Sequence, residues 1–393
     1  MTEPVYLHDV VRTPRGKARA DGGLAATSPQ ELIGQLVTAL DSRVGDARSV
    51  DALVLGCVGQ VGAQGGNIAL VSKLHAGVHD AATAYTINNY CVSSLTAIAQ
   101  AAQLVASGSA ERALAGGVES MSRVPFMADK ADYYSDATFP TRTRYVPVAL
   151  AADRLAEKEN VGRDALDAVA LRSQQRAAAA EASPDLLMRS RIPVTRANGD
   201  VALARDECLR PQTDLKSLAA MTPAFIELAR GYADALGREP IDHRHTLAHA
   251  PPVCDGAGLA LLGSGAGDRR PRAKILAYAE CGGDPHASLL AGFTAMDRAL
   301  TRAGLRLQNM DRVEFMEAFG VTIAKFLRDR VIDPERVNVA GGHLARGHPM
   351  GGSGAILLSS LLDALDAADA TTGLVVASGA SGVGAAMVVE RLQ

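Results

Sequence analysis

The sequence predicts a layered α/β fold built as two similar halves, and three observations carry that prediction. Short apolar runs of strand length alternate with alanine-rich helical stretches near both ends of the chain. A middle stretch, 120–249, breaks the alternation with Tyr-, Asp-, Pro- and Arg-containing loops. A pattern of reactive residue, small-residue segment, helix and glycine-ended strand occurs once in each half.

Taken in order, Val5 to Val11 reads as a strand, followed by Arg12-Thr13-Pro14 and a glycine-containing loop. Ser28-Pro29-Gln30-Glu31 opens a helix, with serine as N-cap, proline at the first helical position and glutamate in the capping-box position. Ala52 to Val58 is a strand, and Ala84 to Asn88 is another that runs into Cys91. Ser94 to Val105 is helical, and Arg112 to Gly116 is a strand that stops at Gly116-Gly117. Such alternation predicts a largely parallel sheet. The middle stretch holds a loop from Asp132 to Tyr145, a helix from Asp164 to Ala182 and turns from Pro193 to Pro211, and it reads as an inserted loop domain lying over the sheet. The expected division is therefore 1–119 with 250–268 as the first half, 120–249 as the insertion and 269–393 as the second half. In that second half His348 precedes Met350 to Gly354, a helix from Ala355 to Ala364 and a strand from Leu374 to Ala377. A nucleophile candidate and a base candidate thus stand at corresponding helix starts, where layered α/β folds bind ligands.

Composition narrows the function classes. A net charge of −3 gives no reason to expect nucleic acid or an anionic membrane as a partner. The five cysteines (Cys57, Cys91, Cys208, Cys254, Cys281) are scattered without a CxxC pair, which argues against a disulfide framework or a metal site and suits a reducing compartment. No basic-then-apolar leader and no run of membrane-spanning length is found, so a cytoplasmic protein is expected.

Cys91 lies in Ile87-Asn88-Asn89-Tyr90-Cys91-Val92-Ser93-Ser94-Leu95. At a strand-to-helix turn the free N–H groups and dipole of the helix favour a thiolate, and the same amides can hold an acyl oxygen. The bland reading is a small buried cysteine. His348, in Gly347-His348-Pro349-Met350-Gly351-Gly352-Ser353-Gly354, can take and return the thiol proton. A Gly-His-Pro turn can equally be structural.

Taken together these motifs resemble the thiolases over nearly the whole chain. The matching segments are Val10 to Pro14, Asn88 to Leu95, Gly116-Gly117-Val118-Glu119-Ser120-Met121-Ser122, Arg205-Asp206-Glu207 with Pro211, Glu317-Ala318-Phe319, Asn338 to Gly342 leading into Gly347-His348-Pro349, and Gly382 to Glu390. The resemblance implies two βαβαβαββ halves in a five-layer αβαβα fold. It implies an acyl-CoA:CoA acyltransferase that cleaves 3-ketoacyl-CoA, or runs the reverse Claisen condensation, through an acyl group on Cys91. His348 then activates the cysteine and helps hold a thioester oxygen, and the backbone amides of Cys91 and Ala380 form a second oxyanion hole. Coenzyme A and acyl-CoA are substrates and no permanently bound cofactor or metal is implied. Ser353 and Gly354 are expected to line the pocket, Glu317 and Asn338 to orient the histidine, and Arg205 to contact coenzyme A. A homodimer or homotetramer is implied, with association with other fatty-acid-oxidation enzymes in keeping.

Three departures stand against this pattern. Ser378 occupies the position of the family's second catalytic cysteine, where a thiol of pKa ~8.5 serves as acid and base and an alkyl hydroxyl is far weaker. Met316 stands before Glu317-Ala318-Phe319, where the family carries Asn or His, and offers no useful donor. The family's Asn-x-Ser contact to pantetheine reads His249-Ala250-Pro251-Pro252 here. The expected activity is therefore impaired or specialised. The other readings are a low-turnover acyl-CoA-binding paralogue or partner subunit, and a decarboxylating synthase or thioester hydrolase on the same fold.

Overall fold

A computed structural model describes residues 4–136, 138–140, 143–237, 240–265 and 270–392. The expected boundary between 268 and 269 lies outside them, as does part of the Asp132–Tyr145 loop.

The first half runs β1 (Tyr6–Arg12), α1 (Pro29–Val44), β2 (Ala52–Gly56), α2 (Ile68–Ala76), β3 (Thr83–Ile87), α3 (Ser93–Ala106) and β4 (Arg112–Glu119). Helix α1 begins where the capping signal places it: Pro29 is at the first position and the Ser28 N–H donates to Glu31 at 2.6 Å. Two longer helices of the 120–249 stretch follow, α4 (Val148–Lys158) and α5 (Arg163–Ala182). The remainder runs β5 (Cys254–Gly263), β6 (Ala273–Gly282), α6 (Ala291–Ala303), β7 (Arg312–Phe315), α7 (Gly320–Asp329), α8 (Ser353–Ala367), β8 (Thr372–Gly379) and β9 (Val383–Arg391).

The strands form one continuous hydrogen-bonded array in the order β7-β8-β9-β6-β1-β5-β4-β2-β3. Its two wings repeat each other. The order β2-β4-β5-β1 of the first matches β7-β8-β9-β6 of the second, and they join through only two residue pairs, Tyr6 with Lys274 and Leu7 with Ala273. Expectation and structure differ in direction. Only β2/β3, β2/β4 and β7/β8 are parallel, and the other pairings between these strands are antiparallel. The sheet is mixed because β5 and β9 return beside the preceding strand with the opposite sense, a long-range choice that local alternation does not encode.

Strand alternation builds the layers. Leu53 and Leu55 of β2 face α1, whose Leu32, Ile33, Leu36 and Leu40 share their core, while Val54 faces inward. On the second wing Leu374 and Val376 face α6, and Val375 and Ala377 face inward. The inward faces of both wings close on α3 and α8, which also pack on each other. The result is the five-layer αβαβα fold, with α3 and α8 as its middle layer.

Candidate active site

The two middle helices start side by side. A Cβ on Gly354 would lie 2.6 Å from the Leu95 backbone nitrogen, and the Ala355 N–H donates to Ser94 Oγ at 3.0 Å. This contact brings the loop before α3, which carries Cys91, to the loop before α8, which carries His348. Gly354 therefore packs between the two helix backbones.

Cys91 follows Tyr90, whose φ of 48° turns the chain sharply out of β3. Its side chain is 7% exposed. The end of β8 presses on it from the other wing: a Cβ on Gly379 would stand 3.2 Å from the Cys91 nitrogen, and the Ala380 N–H is directed at the sulfur along with the amide of Cys91 itself. Burial nevertheless dominates and pushes the thiol up to about 12 against these two amides. The thiol is thus neutral in this arrangement, against the expectation from the helix start, because loss of water outweighs the two amides.

His348 is buried and held at three points. Its N–H donates to the Pro252 carbonyl at 2.7 Å, and Nδ1 lies 2.8 Å from Ser353 Oγ. The third is Arg15, fully buried, whose Nη1 donates to the Gly347 carbonyl at 2.8 Å. Burial, with the Arg15 charge behind it, lowers the imidazole to about 3, so it is neutral. In the tautomer whose Nδ1–H donates to Ser353 Oγ, Nε2 is bare and is the nitrogen able to accept a proton. No hydrogen bond joins Cys91 to His348.

The other candidates divide. Met316 is buried in the same apolar cluster as Cys91 and offers only its backbone, which donates to Val376. Ser378 is buried at the end of β8, on the face that Leu374 and Val376 share, and its Oγ sits 2.2 Å from where a Cβ of Gly292 would be. That hydroxyl makes no hydrogen bond among the described residues. Arg205 is exposed and makes no ion pair among them. His249 is fully buried: Nε2 meets Asp167 at 2.7 Å, Nδ1 accepts from the Thr246 N–H at 3.0 Å, and burial lowers its pKa to about 4. Its ring cannot reach a ligand in this arrangement, and a contact there would have to come from neighbouring backbone. His343 stands edge-on to His348 with 5.0 Å between ring centroids, yet it is fully buried with neither nitrogen partnered.

Glu317 and Asn338 act one step back. Asn338 bonds both backbone groups of Phe315 at 2.8 and 2.9 Å, and the Glu317 carboxylate accepts from Asn338 at 3.1 Å, Ser173 at 2.7 Å and the Leu344 N–H at 3.0 Å. Together they fix the loop that leads to His348.

Two residues with a part in the site carried no role in the sequence reading. Glu119 is buried and accepts from the Val58, Gly59 and Gly351 N–H groups at 3.0 Å each, and from Gln64 at 2.8 Å. It thereby ties the end of β2 to the turn after His348. A carboxylate ending an otherwise apolar strand was the available signal, since such a group must find donors. Arg15 had none, because its partners, Asp206, Glu207 and Gly347, lie far along the chain.

Residues 5–264 match the thiolase N-terminal domain family and residues 269–391 the thiolase C-terminal domain family. The chain is 34% identical to the beta-ketoadipyl-CoA thiolase of Pseudomonas knackmussii, covering 100% of each. It is 33% identical to the 3-ketoacyl-CoA thiolase of Serratia proteamaculans over 99% of this chain and 100% of that one. The structure of the Bacillus anthracis acetyl-CoA acetyltransferase superposes with a TM-score of 0.85 at 27% identity, over 100% of this chain and 99% of that chain.

Proposed function

Because the chain belongs to the thiolase family and is an acyltransferase of that type, we propose that Cys91 is its nucleophile in thiolytic cleavage of a 3-ketoacyl-CoA or in the reverse condensation. The observation that carries this is the pair of backbone amides, of Cys91 and of Ala380, converging on one sulfur that lies beside a loop holding an oriented, neutral imidazole.

The steps follow from that geometry. Thiol and imidazole are both neutral, so attack on the keto carbon requires the proton to pass from sulfur to His348 Nε2 as the carbon–sulfur bond forms. The two amides receive the oxyanion. The bond between C2 and C3 then breaks, and the departing enolate of acetyl-CoA needs a proton. Ser378, a poor acid with its hydroxyl against Gly292, is badly suited to supply it. Met316 leaves the thioester oxygen without a side-chain donor. We therefore assign an intact acyl-transfer half-reaction and a carbon–carbon step slowed by ~10²–10⁴, the usual effect of losing one acid/base. Coenzyme A thiol then attacks the acyl-Cys91 and regenerates the sulfur. Arg205, exposed and without an ion pair among the described residues, is the side chain we assign to a phosphate of coenzyme A.

In the same reading, 1–119 with 250–268 and 269–393 are the two catalytic halves, and 120–249 covers the substrate. The outer edge strand β3 is the surface for a second copy, since it pairs only with β2 and lies beside the exposed Leu70, Leu74 and Tyr85.

The test has two parts. Intact mass after incubation with acetyl-CoA should show one acetyl group, absent in Cys91→Ser. Thiolysis of acetoacetyl-CoA should be slow and rise strongly in Ser378→Cys. Acetylation with no thiolysis in either protein would instead favour a low-turnover acyl-CoA-binding paralogue, the reading supported by the unpartnered Ser378.

A further inference from the structure

Two cysteines outside this site face each other at its edge. Cys208 follows the buried Asp206 in the insertion and Cys254 opens β5, with exposures of 6% and 0%. A Cβ on Gly347 would stand 2.9 Å from Cys254 Sγ and 3.1 Å from Cys208 Sγ, so both sulfurs converge on one point beside the residue that precedes His348. The two thiols interact directly, and the Arg15 cation that bonds Gly347 lies close to both. Their environments differ. The bond from Cys254 draws the Cys208 thiol below its ordinary value, whereas burial drives Cys254 well above. A cavity of about 290 Å³ is lined by Arg210 and Pro252, each two residues from one cysteine, while neither sulfur lines it. An ionisable thiol and a neighbour placed to resolve it are the ingredients of oxidation chemistry.

We propose that Cys208 and Cys254 are an oxidation site for peroxide, forming a disulfide that ties the insertion to β5 at the foot of the His348 turn. The Cys208 thiolate attacks one oxygen of hydrogen peroxide; the O–O bond breaks, hydroxide leaves as water on taking a proton, and Cys208 becomes a sulfenic acid. Cys254 sulfur then displaces the sulfenic oxygen, giving the S–S bond and a second water that carries the Cys254 proton. Two thiols lose two electrons and one peroxide gains them. Bonded sulfurs lie about 2.05 Å apart, so closing the bond draws both toward each other next to Gly347, and His348 moves with that residue. Its consequence for rate rests on the function proposed above.

The experiment separates the two claims. Cys91→Ser protein is titrated with hydrogen peroxide, remaining thiols are alkylated, and peptides are mapped by mass spectrometry. One linked pair joining Cys208 to Cys254 is expected, abolished by Cys208→Ser or Cys254→Ser and reversed by dithiothreitol. Both thiols remaining alkylatable would overturn the proposal, whatever the protein catalyses. In the wild-type chain, linked protein whose Cys91 is still free should acetylate roughly tenfold or more slowly than reduced protein, the size of effect that small misplacements of a catalytic group produce. Linkage with an unchanged acetylation rate would overturn the coupling to His348.

Discussion

Ser353 Oγ lies 2.8 Å from His348 Nδ1, and both are buried, so the first residue of α8 fixes which nitrogen of the imidazole faces outward. Ser353→Ala removes that bond and leaves Nδ1 to find another partner. Acetylation of Cys91 should slow by ~10–10² with the acetyl-CoA concentration for half-maximal rate little changed, because orientation and not binding is lost. Ser353→Thr, which keeps the hydroxyl, should recover part of the rate. Stopped-flow acetylation of all three proteins checks this.

Cys91 should show the pH dependence of a buried neutral thiol. With its pKa raised to about 12 by burial and His348 lowered to about 3, no thiolate–imidazolium pair exists near neutrality. Alkylation by iodoacetamide should therefore climb about tenfold per pH unit from 7 to 10, following the thiolate fraction. A plateau below pH 8 would show a preformed ion pair and contradict the neutral assignment.

Asp206 should anchor acid stability. Burial works against its charge, yet Arg12 at 2.8 Å, Arg346 at 2.6 Å and Arg15 hold its carboxyl well below the usual range. Its contribution is complete above the unfolded value near 4 and is lost as pH falls below that toward the folded value. Asp206→Asn should destabilise by about 3–5 kcal/mol at pH 7, since it strands buried arginines. Denaturant unfolding at pH 7 and pH 3 should show the difference shrinking at the lower pH.

Gly354→Ala tests the helix contact. The added methyl would lie 2.6 Å from Leu95 backbone nitrogen, a group with no flexible end to yield. A destabilisation of about 1–3 kcal/mol is expected from overpacking, with a loss of acetylation rate beyond what thermal unfolding at the assay temperature accounts for.

Much of this fold was legible locally. The helix start at Ser28–Glu31, the strand running into Cys91 and the helices after Cys91 and His348 are written in caps and apolar runs that neighbours in sequence decide. The mixed sheet was not, because whether β5 runs against β4 is settled by a return through the whole insertion. His249 shows the same limit within the site. Its burial depends on Asp167, 82 residues away, so a sequence that placed it beside a ligand gave no sign that both ring nitrogens were already engaged. Glu119, by contrast, lies in the Gly116–Ser122 segment, and its demand for donors was readable even though the donors were not.

The contact between α3 and α8 gives the protein an unusual sensitivity to sliding. Each helix follows a loop that carries one reacting group, and a helix advances about 1.5 Å per residue, so a shift of one against the other by a single step would carry sulfur and imidazole out of line. Substitutions at Ile98 or Leu361, deep in the middle layer and remote from either group, should therefore trouble catalysis more than equally buried changes at Leu36 or Met296 in the outer layers.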